Sequence, residues 1–162
     1  MTYRVFVSTY AKYNSGSLKG AWLDLEDYAC RGDFYEACAE LHSDEDDPEI
    51  MLQDHEGIPD FFIDESYIKD EFWSYLDCNM DDEVKAAYVE AKDRWDEEDC
   101  QSSYIGQFRD YEELAEYLVD DCGVVGEIPD NLKYYFNYEA YGRDIRLSGD
   151  VVEENGYFFW NH

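Results

Sequence analysis

Cations are scarce in this 162-residue chain: 12 Lys and Arg stand against 41 Asp and Glu, a formal net charge of -29. Nucleic acid and anionic membranes are both bound through Lys and Arg, so such a field repels them. The fitting partner is instead a basic protein surface, one built to hold phosphates. No apolar run approaches the ~18 residues of a membrane span. The phosphate-cradling loops GxGxxG and GxxxxGK[ST] and the nucleophile elbow GxSxG are missing. His42, His55 and His162 form no HExxH pair, and the adjacent His55 and Glu56 are read as surface or structural residues. Asp44-Glu45-Asp46-Asp47 lacks the glycine and closing glutamate of a calcium loop. Carboxylate pairs for glycoside chemistry carry no signal, because among 41 acids some pair always exists. The five cysteines, Cys30, Cys38, Cys78, Cys100 and Cys122, are odd in number and form no CxxC. With no apolar leader in the opening residues, reduced thiols in the cytoplasm are expected. A thiolate nucleophile needs electropositive surroundings that this chain is poor at supplying. No metal, cofactor or catalytic centre is expected, and the chain reads as a non-enzyme.

What is abundant is aromatic. Leu, Ile, Val and Phe total only 35 residues, near the range where a highly charged chain stays disordered. Sixteen Tyr and four Trp tip the balance toward folding, since each such ring buries on the order of 150–250 Å². A folded α+β protein of small lobes with aromatic cores is expected. In residues 1–61, Tyr3, Val5 and Val7 alternate with Arg4, Phe6 and Ser8, Asn14-Ser15-Gly16-Ser17 marks a turn, and Leu18 to Leu25 reads as the second strand of a hairpin. Asp33 to Glu36 resembles a capping box for a helix ending near Leu41, and Ile50 to Asp54 reads as a third strand. Residues 62–103 read as all-helical, with Ile68, Phe72, Tyr75 and Leu76, then Met80, Val84, Ala87, Tyr88, Ala91 and Trp95, on helical spacing and a break near Cys78-Asn79. In residues 104–162, Phe108 to Cys122 follows a 3.6 period, Asp110 with Glu113 can cap it, and Gly123 can end it. A helix from Asn131 to Arg143 and a strand from Gly156 to Trp160 complete this mixed third segment. Three small domains in a row, 1–61, 62–103 and 104–162, are the expected organisation.

The charge is evenly shared, at -10, -10 and -9 over the three segments, where a disordered acidic tail would concentrate it in one block. Carboxylates on helices are fixed in space. Duplex DNA carries one negative charge per ~1.7 Å, so a net charge of this size matches roughly 50 Å of duplex, about 14–15 base pairs. The candidate partner-binding residues are Asp81, Asp82, Glu83, Glu90, Asp93, Asp96 and Glu97 in the middle segment. In the last segment they are Asp110, Glu112, Glu113, Glu116, Asp120, Asp121, Glu127 and Asp130. Two other readings account for part of the pattern. One is an acidic module for a different basic DNA- or RNA-binding protein, which a pull-down separates. The other is a salt-adapted protein, which would unfold at low salt.

The stretch Tyr10 to Asp24 places Tyr13-Asn14, Gly16, Leu18, Gly20 and Trp22 in the order Ala-x-Tyr-Asn-x-Gly-x-Leu-x-Gly-x-Trp. This resembles the N-terminal signature of the antirestriction protein ArdA family. Leu52 to Pro59 is similar to the next family block, and Ile128-Pro129, Leu132, Tyr138-Glu139-Ala140 and Arg143-Asp144-Ile145 extend the likeness through nearly the whole chain. The resemblance implies an elongated α+β protein of three small domains: a mixed N-terminal one, a helical middle and a mixed C-terminal one. It implies homodimers that imitate bent B-form DNA and inhibit type I restriction–modification enzymes at the DNA site of the methyltransferase core. It also implies carriage on mobile genetic elements. The family's antirestriction motif falls here around Leu114 to Leu132 and is expected to support dimerisation. Asn137 stands where the family pattern has Asp, one charge fewer at that point.

Overall fold

A computed structural model of the chain describes residues 1–161. It is α+β, with two small antiparallel sheets in two compact units, Met1–Asp82 and Glu83–His162.

The first unit is built on strands β1 (Arg4–Thr9), β2 (Ala21–Asp24) and β3 (Ile50–Glu56) in the order β2-β1-β3. The alternation in β1 sends Val5 and Val7 into the core, while Arg4 and Phe6 face outward opposite Asp24 and Trp22. Between β1 and β2 lies a helix the sequence did not announce, α1 (Tyr10–Asn14). Five residues are too few to show a helical period, but Thr9 caps it by accepting the Lys12 amide at 3.2 Å. The expected second strand therefore shortens to begin at Ala21. Helix α2 spans Arg31–Leu41 and buries Phe34 and Cys38. The expected capping box at Asp33 is not formed: the helix starts three residues earlier, after Cys30, and Asp33 lies inside its first turn, where its charge suits the helix dipole. Helix α3 (Glu71–Asp77) closes the unit with Phe72, Trp73 and Tyr75. Phe72 meets Tyr3 at 5.7 Å and Phe62 at 5.1 Å between ring centroids, and Tyr75 meets Phe62 at 4.9 Å. These are the offset and edge-on distances that aromatic pairs prefer.

In the second unit, α4 (Asp82–Lys92, entered from the last residue of the first unit) and α5 (Glu97–Ser103) lead into strand β4 (Tyr104–Gln107). Helix α6 (Tyr111–Glu116) follows and continues as a wider π-turn over Tyr117–Asp121, in which the Cys122 amide reaches back five residues to the Tyr117 carbonyl at 3.1 Å. The single helix expected from Asn131 to Arg143 is two: α7 (Asp130–Lys133) and α8 (Tyr138–Ser148). Asn137 starts the second by accepting the Ala140 amide at 3.0 Å. Asn and Asp cap almost equally well, so Asn at this position keeps the local structure and removes only the charge. Strands β5 (Val151–Glu154) and β6 (Tyr157–Trp160) turn at Asn155-Gly156, both at positive φ as a tight hairpin requires, giving the order β4-β6-β5. Leu114, Leu118, Val151 and Phe158 form the core between sheet and helices. Helix α8 lies against the start of α6 at Gly142, where a Cβ would meet the Tyr111 carbonyl oxygen at 2.6 Å.

Residues 62–103, expected to form a middle domain, are shared between the units. Within that stretch Phe72 and Tyr75 also join the aromatic cluster around Tyr3, whereas Tyr88 meets Phe159 of β6 edge-on at 5.6 Å.

Candidate acidic interaction surface

None of the 41 carboxylates is buried. Asp24, Glu45, Asp82, Asp99, Glu113 and Glu154 are half-buried, and the other 35 are exposed. By unit, 21 acids with 5 cations fall in the first and 20 with 7 in the second, for nets of -16 and -13. Of the candidate partner-binding residues, all are exposed but Asp82 and Glu113.

Several candidates have structural work of their own. Asp96 caps α5 by accepting the Asp99 amide at 2.9 Å, and Asp110 caps α6 by accepting the Glu113 amide at 2.9 Å. Glu113 reaches back to accept the Arg109 amide at 2.7 Å, so the cap expected at this helix is formed. Asp93 ends α4 at φ 51, a left-handed value that Asp tolerates better than most residues. Glu83 accepts the Tyr157 hydroxyl at 2.6 Å, Asp120 the Tyr138 hydroxyl at 2.8 Å, and Glu97 the Gln101 amide at 3.3 Å. Asp82 lies 3.9 Å from the N-terminal amine, and Asp130 lies 3.8 Å from Lys133. Asp81 is exposed just ahead of α4. Glu90, Glu112, Glu116, Asp121 and Glu127 are exposed and, among the described residues, carry no cap or ion pair.

Two acids that sequence reasoning passed over have shifted pKa values of opposite sign. Asp99 sits among the Tyr88 hydroxyl at 2.6 Å, the Lys92 ammonium at 2.9 Å and the Arg94 guanidinium at 2.7 Å. Burial pushes its carboxyl up, but hydrogen bonds from Tyr88 and Lys92 outweigh that and hold it at about 2. Glu154 goes the other way: burial and the nearby Glu90 and Glu153 carboxylates raise its pKa. Helical spacing within α5 could have flagged Asp99 facing inward; nothing in the sequence pairs Glu90 with Glu154.

The signature residues divide by role. Gly16 needs its φ of +80 for the turn, and Gly20 packs so close to β1 that a Cβ would stand 2.5 Å from the Val7 carbonyl oxygen and 2.8 Å from the Phe6 ring. Asn14 ends α1. Tyr13, Leu18 and Trp22 remain at the surface, with relative exposures of 51%, 91% and 37%. A second apolar surface lies in the other unit, where Val124, Val125, Leu132, Tyr134 and Tyr135 are exposed after the π-turn.

His42, Asp44 and Glu45 bring possible ligand atoms within 4.8 Å of one another. Their centre is taken by the Lys12 ammonium, 2.7 Å from His42 Nδ1, 2.8 Å from Asp44 and 3.2 Å from Glu45. The imidazole Nε2 lies 3.2 Å from the Val7 carbonyl, so the buried His42 ties the helical layer to β1. None of the five cysteines is in a disulfide among the described residues; Cys38, Cys78 and Cys100 are buried, and burial pushes the Cys38 thiol up to about 12. No described helix is long and apolar enough to cross a membrane.

A search among curated proteins finds no significant match. A family profile described as antirestriction protein (ArdA) matches residues 5–159. That span takes in both sheets, the signature loop and the acid-bearing helices, and it shows that the chain belongs to the ArdA family of antirestriction proteins.

Proposed function

We propose that this protein inhibits type I restriction–modification enzymes as a stand-in for duplex DNA, its carboxylates occupying the phosphate positions of the DNA channel in the methyltransferase core. It acts in the cytoplasm as a homodimer and without catalysis. The observation that carries this reading is the exclusion of all 41 carboxylates from the interior, with 21 on one unit and 20 on the other. Acids fixed on capped helices and strands present a charge lattice that a disordered tail cannot, and family membership supplies the class of target. Binding is driven in part by release of the ions condensed on both surfaces. The exposed Val124 to Tyr135 segment supports self-association, being the largest set of apolar side chains left in solvent in its unit.

The test is titration of a type I methyltransferase core with the chain at low and moderate salt, with duplex DNA as competitor. Displacement by DNA is expected, with an affinity loss on the order of 10³ between about 50 and 200 mM salt. Absence of a complex at both salts sinks the proposal. Amide replacement of Glu90, Glu112, Glu116, Asp121 and Glu127 together should weaken binding far more than any one of them alone, and it removes no helix cap. Tyr134→Asp with Tyr135→Asp should yield monomers in sedimentation.

A further inference from the structure

We infer that His42, Asp44 and Glu45 form a site for a divalent transition-metal ion, zinc by preference, in which the Lys12 ammonium is a built-in and exchangeable occupant. The site is independent of the function proposed above. A histidine sets it apart from the acid-bearing helices. Carboxylates lie all over this chain, yet among the described residues no other group of three His, Cys, Asp or Glu side chains is placed to hold an ion.

The imidazole is set up as a ligand. His42 is 1% exposed, and its Nε2 donates to the Val7 carbonyl at 3.2 Å. That bond places the proton on Nε2 and leaves the Nδ1 lone pair aimed at the Lys12 ammonium between the two carboxylates. This is the tautomer a metal needs, and a backbone carbonyl on the far nitrogen is a partner that metal-binding histidines commonly use. Glu45 is oriented from behind in the same manner, by the Thr9 hydroxyl at 2.7 Å. Hydrogen bonds hold both carboxyls below their usual range, from Lys12 for Asp44 and from Thr9 and then Lys12 for Glu45, so both are anionic at neutral pH.

The three acceptors already share one cation, since Lys12 Nζ lies 2.7 Å from Nδ1, 2.8 Å from Asp44 and 3.2 Å from Glu45. Ligands about 2.0–2.2 Å from zinc stand at most about 4.3 Å from one another. The atoms here lie within 4.8 Å, so an inward shift of about half an ångström by the carboxylates closes the site. Asp44 and Glu45 sit on a surface turn and are free to make it. The ammonium has a way out: its stem is long and flexible, and a cavity of about 180 Å³ lined by Lys12, Lys19, Gly20, Leu41, His42 and Asp44 opens beside it. An imidazole among carboxylates suits zinc, whereas magnesium and calcium take oxygen ligands. The displaced ammonium stays close to the ion and repels it, so Lys12 sets the zinc concentration at which exchange occurs.

The experiment titrates the reduced, chelator-treated full chain with Zn²⁺ by calorimetry and with Co²⁺ by absorption, folding being checked by circular dichroism. One site is expected, and millimolar Mg²⁺ should not displace the metal from it. Lys12→Met removes the competing cation and should bind Zn²⁺ more tightly by about tenfold or more. His42→Ala should lose the site. Asp44→Asn with Glu45→Gln should lose it too, and this pair of surface changes keeps the test decisive if His42→Ala does not fold. Lys12→Met binding no more tightly than the unaltered chain overturns the inference. So does a site that survives the Asp44 and Glu45 replacements or yields to Mg²⁺, since scattered surface acids then hold the metal. A near-ultraviolet thiolate band in the Co²⁺ spectrum assigns the ion to the exposed Cys30 or Cys122 and overturns it equally.

Discussion

The two units carry similar surpluses of negative charge and stabilise their interiors differently. The first closes over rings: Tyr3, Phe62, Phe72 and Tyr75 are fully buried, and its clamps, Arg4 with Glu56 and Lys12 with Asp44 and Glu45, sit at the rim. The second draws a lysine inward. Lys92, 3% exposed, binds Asp99, the Ser103 hydroxyl at 3.3 Å and the Trp160 carbonyl at 2.7 Å, tying α4 to α5 and to the end of β6. Keeping every carboxylate out of both cores is thus compatible with either an aromatic or an ionic keystone, and the ionic keystone itself titrates where the aromatic one does not.

The sharpest contrast is between the two keystones. Phe72→Ala should cost about 4 kcal/mol in denaturant unfolding, since it empties a ring-sized space, and the cost should be the same at pH 4 and pH 7. Asp99→Asn should cost about 3 kcal/mol at neutral pH, because the Lys92 ammonium, its side chain 3% exposed, loses its counter-charge. The Asp99 carboxyl titrates at about 2 in the folded chain, below the ~3.9 of an unfolded Asp. Its contribution is therefore complete above about pH 4 and disappears as pH falls toward 2. Asp99→Asn should erase that part of the acid limb, and an unchanged limb would break the comparison. A smaller effect belongs to the caps: Asp110→Ala should cost about 1 kcal/mol, measured by thermal melting, while the fully exposed neighbour Glu112→Ala should change little. The smallest has the opposite sign. The raised Glu154 carboxyl means that its charge opposes folding, so Glu154→Gln should stabilise by a few tenths of a kcal/mol at pH 7, and the gain should vanish below about pH 4 as the native carboxyl is protonated.

Sequence made legible those elements whose pattern is local and long. The alternation in β1, the Asp110 cap of α6, the helical stripe of α4 and the break at Cys78-Asn79 all appear where expected. Three short elements were not anticipated: α1 has five residues, and β5 and β4 four each. Asn155-Gly156 was the available signal for the last hairpin. The boundary between units was not legible because it depends on which rings meet across distant segments, Phe72 with Tyr3 and Tyr88 with Phe159. Among the candidate acids, sequence could not separate those that cap or bond, such as Asp96 and Glu83, from those left to the solvent, such as Glu112 and Glu127, since the two kinds have the same composition and differ only in neighbours.

The widened turn over Tyr117–Asp121 sets the direction in which Asp120 and Asp121 point. A regular helical wheel drawn through Glu112 and Glu116 misplaces them, because each residue added to or removed from a helix swings the remainder of the chain by about 100°. Deleting one codon ahead of Asp120 in this stretch would therefore redirect those two carboxylates, along with the glycine-rich bend behind them, without altering a single charge.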